Sequence, residues 1–141
     1  MSDKASQILK LLAPFVQEGK ILPRTHSQIS ANIDDFVLLF EEKKLIACAG
    51  LKPYKKGAVG EIYSLAVAEN SQKTGAAAKL LTQIISKAKK LNCTKIFALS
   101  KHNINWFLKQ KFTQMEVGDL PENRQKSFDH QRNSCIFFKD L

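Results

Sequence analysis

The sequence contains no run of about eighteen apolar residues, which a membrane-spanning helix would need. Its first residues, Met1 to Lys4, lack the charged and then apolar layout of a secretory signal peptide. Hydrophobic residues make up 44% of the chain and charged residues 25%, the balance of a globular protein in water. We therefore expect no membrane partner and a cytoplasmic location. A length of 141 residues allows one ordinary hydrophobic core, which predicts a single domain over residues 1–141.

Paired cysteines are also lacking. Cys48, Cys93 and Cys135 are odd in number, widely separated and set among apolar residues. Because no two of them have the short spacing of zinc ligands, we expect buried thiols and no metal site. None of the three histidines is placed in the sequence to mark one of these cysteines as a nucleophile.

Acidic residues are fewer than basic ones, 13 against 22, which gives a formal net charge of +9. The lysines occur along the whole chain, and no basic stripe alternates with aromatic residues. Diffuse charge of this kind is typical of solvated faces, so nucleic-acid binding is the less favoured interpretation. A polyphosphate ligand would also be stabilised by such a charge.

The hydrophobic pattern predicts an amphipathic helix over residues 6–18, closed by Gly19, and a second short helix near Ser27. Apolar runs at 36–40 and 45–51 predict a hairpin, although its turn lacks an Asn-Gly signal. The remaining elements are a turn-rich loop at 53–60, strands at 61–67, 96–99, 114–117 and 135–138, and helices at 75–91 and 103–109. This order predicts an α/β (α+β) fold.

The most informative stretch follows the predicted strand at 61–67. The end of that strand leads into a segment of small residues, where the helix at 75–91 begins. Small residues let backbone amides approach a ligand, and a helix start supplies unpaired N–H groups and a positive dipole end. Lys73 and Lys79 add charge nearby. The pattern predicts a pyrophosphate-binding turn, and an ordinary helix start is the alternative.

This turn resembles the cofactor signature of the GNAT acetyltransferase superfamily, Gln/Arg-x-x-Gly-x-Gly/Ala, with Gln72, Gly75 and Ala77 at the fixed positions. The resemblance implies an acetyl-CoA-dependent N-acetyltransferase with a mixed, mostly antiparallel central sheet flanked by helices. It also implies that the turn holds the pyrophosphate of acetyl-CoA and that the preceding strand pairs with the pantetheine arm. The residues expected to contact this cofactor are Leu65, Ala66, Val67, Gln72, Lys73, Thr74, Gly75, Ala76, Ala77 and Asn103.

A narrower resemblance, to the acetyltransferase domain of bacterial N-acetylglutamate synthases, covers nearly the whole chain. It rests on residues 46–51, 60–61, 105–107, 120–122, 131–134 and 139–141. It implies acetylation of the α-amine of L-glutamate, the first step of arginine biosynthesis. The residues that it places against the substrate are Leu22, Arg24, Ser64, Arg124, Arg132 and Ser134, of which Arg124 matches the family less securely.

The distribution of basic residues supports this assignment independently. Lysine supplies 19 of the 22 basic residues, and the only arginines are Arg24, Arg124 and Arg132. Arginine binds a carboxylate through two parallel hydrogen bonds, whereas lysine acts as a hydrated point charge. Glutamate presents two carboxylates, so a chain that keeps three arginines at these positions fits such a substrate. Chance placement or surface pairing is the alternative for each of them.

For the chemistry, the resemblance implies that Glu61 is the general base, acting through a water. A backbone N–H near Leu65 would hold the oxyanion. Ser100, at the end of the next strand, is the candidate that protonates the departing thiolate. Trp106 and Lys111 replace residue types that many members of the superfamily have there, so a tyrosine general acid is missing at that point. The alternatives are a charged strand end for Glu61 and helix capping for Ser100 and Asn103.

Several features differ from the resembled family. The upstream amino-acid-kinase-like domain and the first strand of the fold are expected to be missing, so the chain is either a stand-alone short form or one piece of a longer protein. Arginine feedback is then expected to be absent unless a separate chain supplies it. A homodimer and a separate regulatory chain are open as partners. Lys52, Lys111 and residues 127–130 also depart from the usual types. The rival functions are acetylation of another amine (an amino acid, a polyamine or a protein lysine), a non-catalytic CoA-binding module and a nucleic-acid-binding domain.

Overall fold

The computed structural model describes residues 3–54, 58–132 and 134–141. Among these residues there are five α-helices and six β-strands, separated by short 3₁₀ turns. In chain order they are α1 (Lys4–Gln17), α2 (His26–Ala31), β1 (Phe36–Glu41), β2 (Lys44–Tyr54), β3 (Val59–Val67), α3 (Ala76–Lys90), β4 (Lys95–Ser100), α4 (Ile104–Lys109), β5 (Thr113–Met115), α5 (Glu122–Lys126) and β6 (Cys135–Asp140).

The strands follow the order β1-β2-β3-β4-β6-β5 in one sheet. β1 is antiparallel to β2, and β6 is antiparallel to both β4 and β5, whereas β3 and β4 run parallel. The predicted α/β class with a mixed, mostly antiparallel sheet is confirmed. The chain divides into two compact units, the first formed by Met1–Leu51 and Ser64–Ile84 and the second by Lys52–Tyr63 and Ile85–Leu141.

In the first unit, α1 begins where the side chain of Asp3 accepts a hydrogen bond from the Ser6 N–H at 2.7 Å. That contact satisfies one of the amide donors that every helix start leaves unpaired. The buried face of α1 carries Ile8 and Leu12, which agrees with the amphipathic helix predicted over residues 6–18. The helix ends next to Gly19, whose φ of +73° is the left-handed conformation that glycine adopts without strain.

The hairpin of β1 and β2 closes through only two residues, since Glu41 pairs with Lys44. Glu42 and Lys43 have φ angles of +49° and +70°, so both central residues have the left-handed backbone conformation of a type I′ turn. The hairpin was predicted correctly, and the strands impose on two ordinary residues a conformation that Asn-Gly would adopt more easily.

The second unit is built around a cluster of buried side chains on β3, β4 and β6 and in the segment before α5. The ring of Phe97 on β4 stacks on Phe138 of β6, with centroids 5.2 Å apart. The cluster consists of Val59, Phe97, Leu120, Ile136 and Phe138. Tyr54 and Phe128 pack against it and are only half-buried.

Several boundaries differ from the sequence-based expectation. β2 extends to Tyr54 and β3 starts at Val59, so the predicted loop at 53–60 is shorter; its residues 55–57 lie outside the described residues. The predicted strand at 114–117 covers only Thr113–Met115, because the chain turns into a 3₁₀ segment at Val117. The helix α5 was not predicted at all. Five residues give too short a periodic signal to recognise.

The burial predicted for all three cysteine thiols is found for two of them. Cys48 and Cys93 are buried, but Cys135 at the start of β6 is half-buried, and all three are free. In the described parts of the chain, no group of three or more His, Cys, Asp or Glu side chains could hold a metal ion. No helix among the described residues has both the length and the apolar character needed to cross a membrane.

Candidate active site

In the first unit, the turn between β3 and α3 is held by its own side chains. Gln72 donates from its amide to the carbonyl of Val67 at 3.1 Å, which ties the turn back to the end of the strand. The hydroxyl of Thr74 donates to the carbonyl of Ser71. Lys73 and Gly75 have φ angles of +64° and +88°, so the backbone changes direction twice before the helix begins.

The same turn leads directly into the N-terminus of α3. The carbonyl of Gly75 accepts from the Lys79 N–H at 3.1 Å, which closes the first turn of the helix. The amides ahead of Lys79 therefore have no acceptor within the helix. The space where a Cβ on Gly75 would stand is open, with no atom within 4 Å. Amide donors, a positive helix end and two lysines, Lys73 and Lys79, can bind an anion here.

Arg24 and Ser64 are brought together in the first unit, although 40 residues separate them in sequence. Arg24 Nε donates to Ser64 Oγ at 3.3 Å, and both side chains are half-buried. Ser64 adopts a φ of +50° in the middle of β3, a conformation rare for residues with a Cβ. Leu22, predicted in the same segment as Arg24, is 51% exposed.

The backbone carbonyl of Ser64 accepts a hydrogen bond from a thiol. Cys48 Sγ donates to this carbonyl at 3.5 Å from a fully buried position on β2. Burial raises the pKa of the Cys48 thiol to about 12. A thiol that stays protonated is neither a nucleophile nor a metal ligand, so Cys48 serves packing.

Glu61 is the centre of the polar cluster in the second unit. Its Oε1 accepts from Arg124 Nε at 2.8 Å and from the hydroxyl of Tyr54 at 2.9 Å. Arg124 also donates from Nη1 to Ser127 Oγ at 2.9 Å, which commits two of the five N–H donors of its guanidinium. Only 11% of the Glu61 side chain and 17% of the Arg124 side chain are exposed. The Glu61 carboxylate is thus largely shielded from solvent, and the Arg124 guanidinium balances its negative charge.

Tyr54 is a residue of this site that the sequence reasoning missed. Burial and then the negative charge of Glu61 raise the pKa of the Tyr54 phenol well above its ordinary value, and Arg124 opposes the shift. The phenol is therefore a hydrogen-bond donor at neutral pH. One signal was available, because tyrosine at the end of a half-buried strand usually directs its hydroxyl to a polar partner.

The other predicted residues of the second unit lie on β4, α4 and the segment before β6. Ser100 Oγ accepts from the Asn103 N–H at 3.1 Å, so this serine caps the turn into α4. Asn103 occupies the N-cap position of α4, but its side chain makes no capping bond and is exposed. Arg132 ends a 3₁₀ turn and Ser134 precedes β6, both half-buried, with Asn133 between them outside the described residues.

A mixed sheet, with a small-residue turn that offers amide donors ahead of its long helix, defines an α/β fold whose geometry could accommodate a phosphorylated ligand. The sequence model of the acetyltransferase (GNAT) family matches residues 6–112, and the chain belongs to that family. The expected membership is confirmed.

Comparison with individual named proteins extends the match to nearly the whole chain. An amino-acid acetyltransferase of Ralstonia nicotianae is 33% identical over 139 residues, 99% of this chain and 31% of that protein. Among solved structures, N-acetylglutamate synthase from Neisseria gonorrhoeae, complexed with coenzyme A and N-acetyl-glutamate, superposes with a TM-score of 0.94. It is 32% identical, and the match covers 100% of this chain and 34% of that one.

The same Neisseria synthase complexed with coenzyme A and L-arginine superposes with a TM-score of 0.87, at 32% identity over 100% of this chain and 32% of that one. The chain thus spans about a third of the length of the relatives that it matches.

Proposed function

We propose that this chain transfers the acetyl group of acetyl-CoA to the α-amine of L-glutamate, with residues 1–141 acting as one acetyltransferase domain. The observation that carries the proposal is the likeness to the Neisseria synthase over the whole chain. The two molecules in that complex, coenzyme A and N-acetyl-glutamate, are the two products of such a transfer. The proposal includes a place in arginine biosynthesis and in the cytoplasm.

The turn from Gln72 to Ala77 supports acetyl-CoA as the donor. Its amides and the positive end of α3 suit a pyrophosphate, and the open space over Gly75 allows a ligand to approach the backbone. Leu65, Ala66 and Val67 end the strand ahead of this turn and would pair with the extended arm of the cofactor. Acetyl-CoA supplies the activated acyl group as a thioester.

The arginines support an acceptor with two carboxylates. Arg24 is held by Ser64, which orients its guanidinium, and a guanidinium can grip a carboxylate through two parallel bonds. Arg132 and Ser134, with Leu22 beside Arg24 in sequence, complete the proposed acceptor contacts. Arg124 has three further N–H donors beyond those it gives to Glu61 and Ser127. One of them would reach the substrate.

In the proposed reaction the ammonium of glutamate first loses a proton through a water to Glu61, which acts as general base. The amine then attacks the thioester carbonyl, an N–C bond forms, and a backbone N–H near Leu65 holds the oxyanion. Collapse breaks the C–S bond, and the thiolate receives the hydroxyl proton of Ser100. The second proton of the attacking nitrogen returns to the Ser100 oxygen as the neutral amide forms. Ser100 accepts from the Asn103 N–H, so its own O–H proton can be donated.

The test is CoA release from acetyl-CoA with L-glutamate, L-aspartate, L-lysine and spermidine as separate acceptors. The proposal predicts turnover mainly with L-glutamate. Faster turnover with L-lysine or spermidine would contradict the acceptor while leaving acetyl transfer in place. Binding of CoA without turnover of any amine would contradict the enzymatic function itself.

A further inference from the structure

The general base proposed above is held by two donors that meet on one of its oxygens. Tyr54 and Arg124 both donate to Glu61 Oε1, at 2.9 Å and 2.8 Å. Two convergent donors fix the rotation of a carboxylate about its last bond. Oε2 accepts no hydrogen bond from the part of the chain that the structure describes, so it is the oxygen available to a water or a substrate proton.

The phenol that makes one of these contacts is itself fixed. The ring of Tyr54 lies 6.0 Å from that of Phe97, tilted by 35°, and packs against the buried cluster of the second unit. The ammonium of Lys52 lies 5.3 Å from the ring centroid on the same strand, β2. Because packing and a cation hold the ring in place, its hydroxyl points in one direction, toward Glu61.

The hydroxyl also keeps its proton. The charged groups that act on it are Glu61 and Arg124, and the ammonium of Lys52 lies over its ring. Burial and the Glu61 charge raise the pKa of Tyr54 well above its ordinary value, so the phenol stays a donor across the pH range of an amine acetylation. It cannot remove a proton from the substrate, and its influence on the reaction passes through Glu61.

We propose that Tyr54 is a positioning residue for the reaction. Its hydroxyl orients the Glu61 carboxylate so that Oε1 stays bound to Arg124 and Oε2 receives the proton of the acceptor amine. This inference rests on the proposed function, in which Glu61 is the general base. The hydroxyl is separable from the packing role of the ring, because Tyr54→Phe removes a single oxygen and keeps the aromatic contacts.

The test is a double-mutant cycle in the full chain with Tyr54→Phe, Glu61→Gln and the combined variant, using whichever amine the wild type acetylates fastest. Tyr54→Phe should lower kcat about tenfold and leave the KM for acetyl-CoA unchanged within about twofold. In the Glu61→Gln background the same change should alter kcat by less than about twofold, because the group that Tyr54 positions is no longer a base. Thermal unfolding of all four proteins provides the structural control.

Equal losses of kcat in both backgrounds, or a loss that follows the unfolding temperature, would overturn the positioning role and assign Tyr54 to packing alone. No loss of kcat in Tyr54→Phe would overturn it as well. If the wild type acetylates another amine faster than L-glutamate, the proposed acceptor fails, and the cycle still decides the role of Tyr54. A wild type that acetylates no amine overturns both proposals.

Discussion

Arg124 Nε donates to Glu61 Oε1 at 2.8 Å, and this ion pair joins two residues that are 63 positions apart. Both side chains are largely shielded, with 17% of Arg124 and 11% of Glu61 exposed. Removal of one partner from a shielded ion pair leaves the other charge buried without compensation. The resulting loss of stability is larger than the stability that the intact pair adds over two apolar side chains in its place. The pair therefore links the stability of the second unit to the residue proposed as general base.

Arg124→Ala should lower the free energy of unfolding by about 3 kcal/mol, because the Glu61 carboxylate then stays buried without its cation. Urea denaturation measures this. Lys95→Ala is the control, since Lys95 and Asp140 form an ion pair at 3.9 Å with 53% and 85% of their side chains exposed. That variant should change stability by less than about 0.5 kcal/mol. Equal effects of the two substitutions would contradict this account of the buried pair.

The β1–β2 turn offers a stabilising substitution. Lys43 has a φ of +70°, which is strained for a residue with a Cβ and free of strain for glycine. Lys43→Gly should raise the free energy of unfolding by about 0.5 to 1 kcal/mol in chemical denaturation. Lys44→Gly, one residue later and inside β2, should lower it. A loss of stability in Lys43→Gly would show that the turn is not of type I′ in solution.

The buried thiol of Cys48 predicts a pH dependence at alkaline pH. Its pKa is raised from 9.0 to about 12, so the folded state favours the neutral form. This contribution is fully present below about pH 9, the ordinary value, and is lost as the pH rises toward 12. The stability of the wild type should therefore fall relative to that of Cys48→Ala by about 1 kcal/mol per pH unit above 9. A constant difference between the two proteins from pH 8 to 11 would contradict the burial of Cys48.

Arg24 offers a test of carboxylate recognition. Arg24→Lys keeps the positive charge and removes the planar pair of donors, so the KM for L-glutamate should rise by about tenfold. The KM for acetyl-CoA should stay unchanged. Steady-state kinetics with each substrate varied in turn measures both constants. A fall in kcat with no change in the KM for L-glutamate would place Arg24 outside the acceptor site.

The turn from Gln72 to Ala77, proposed to bind the cofactor, could be located from the sequence because everything that defines its geometry is local. Small residues, a preceding strand and a following amphipathic helix all lie within residues 61–91, and the turn closes through contacts such as that between Gln72 and Val67. The class of fold could likewise be read from the order of strong periodic segments. Their ends shifted by a few residues because end positions depend on pairing and packing rather than on periodicity.

The cluster of Tyr54, Glu61 and Arg124 could not be read in this way. The sequence predicts Glu61 as a base and Arg124 as a substrate contact, but it does not predict that the two side chains bind each other. Their contact joins β3 to the short helix α5, which itself left no recognisable pattern. Side-chain pairing over such a separation is decided by tertiary packing, and no local propensity encodes it.

Acetyl transfer to L-glutamate is tested most directly by following the acetyl carbon from donor to acceptor. Acetyl-CoA labelled with ¹³C at the carbonyl is incubated with the protein and L-glutamate, and the products are identified by NMR. If the proposed transfer occurs, the label appears in an amide carbonyl on the α-nitrogen of glutamate, with one free CoA for each N-acetyl-glutamate formed. Label that stays in the thioester, or appears only as free acetate, would contradict the transfer.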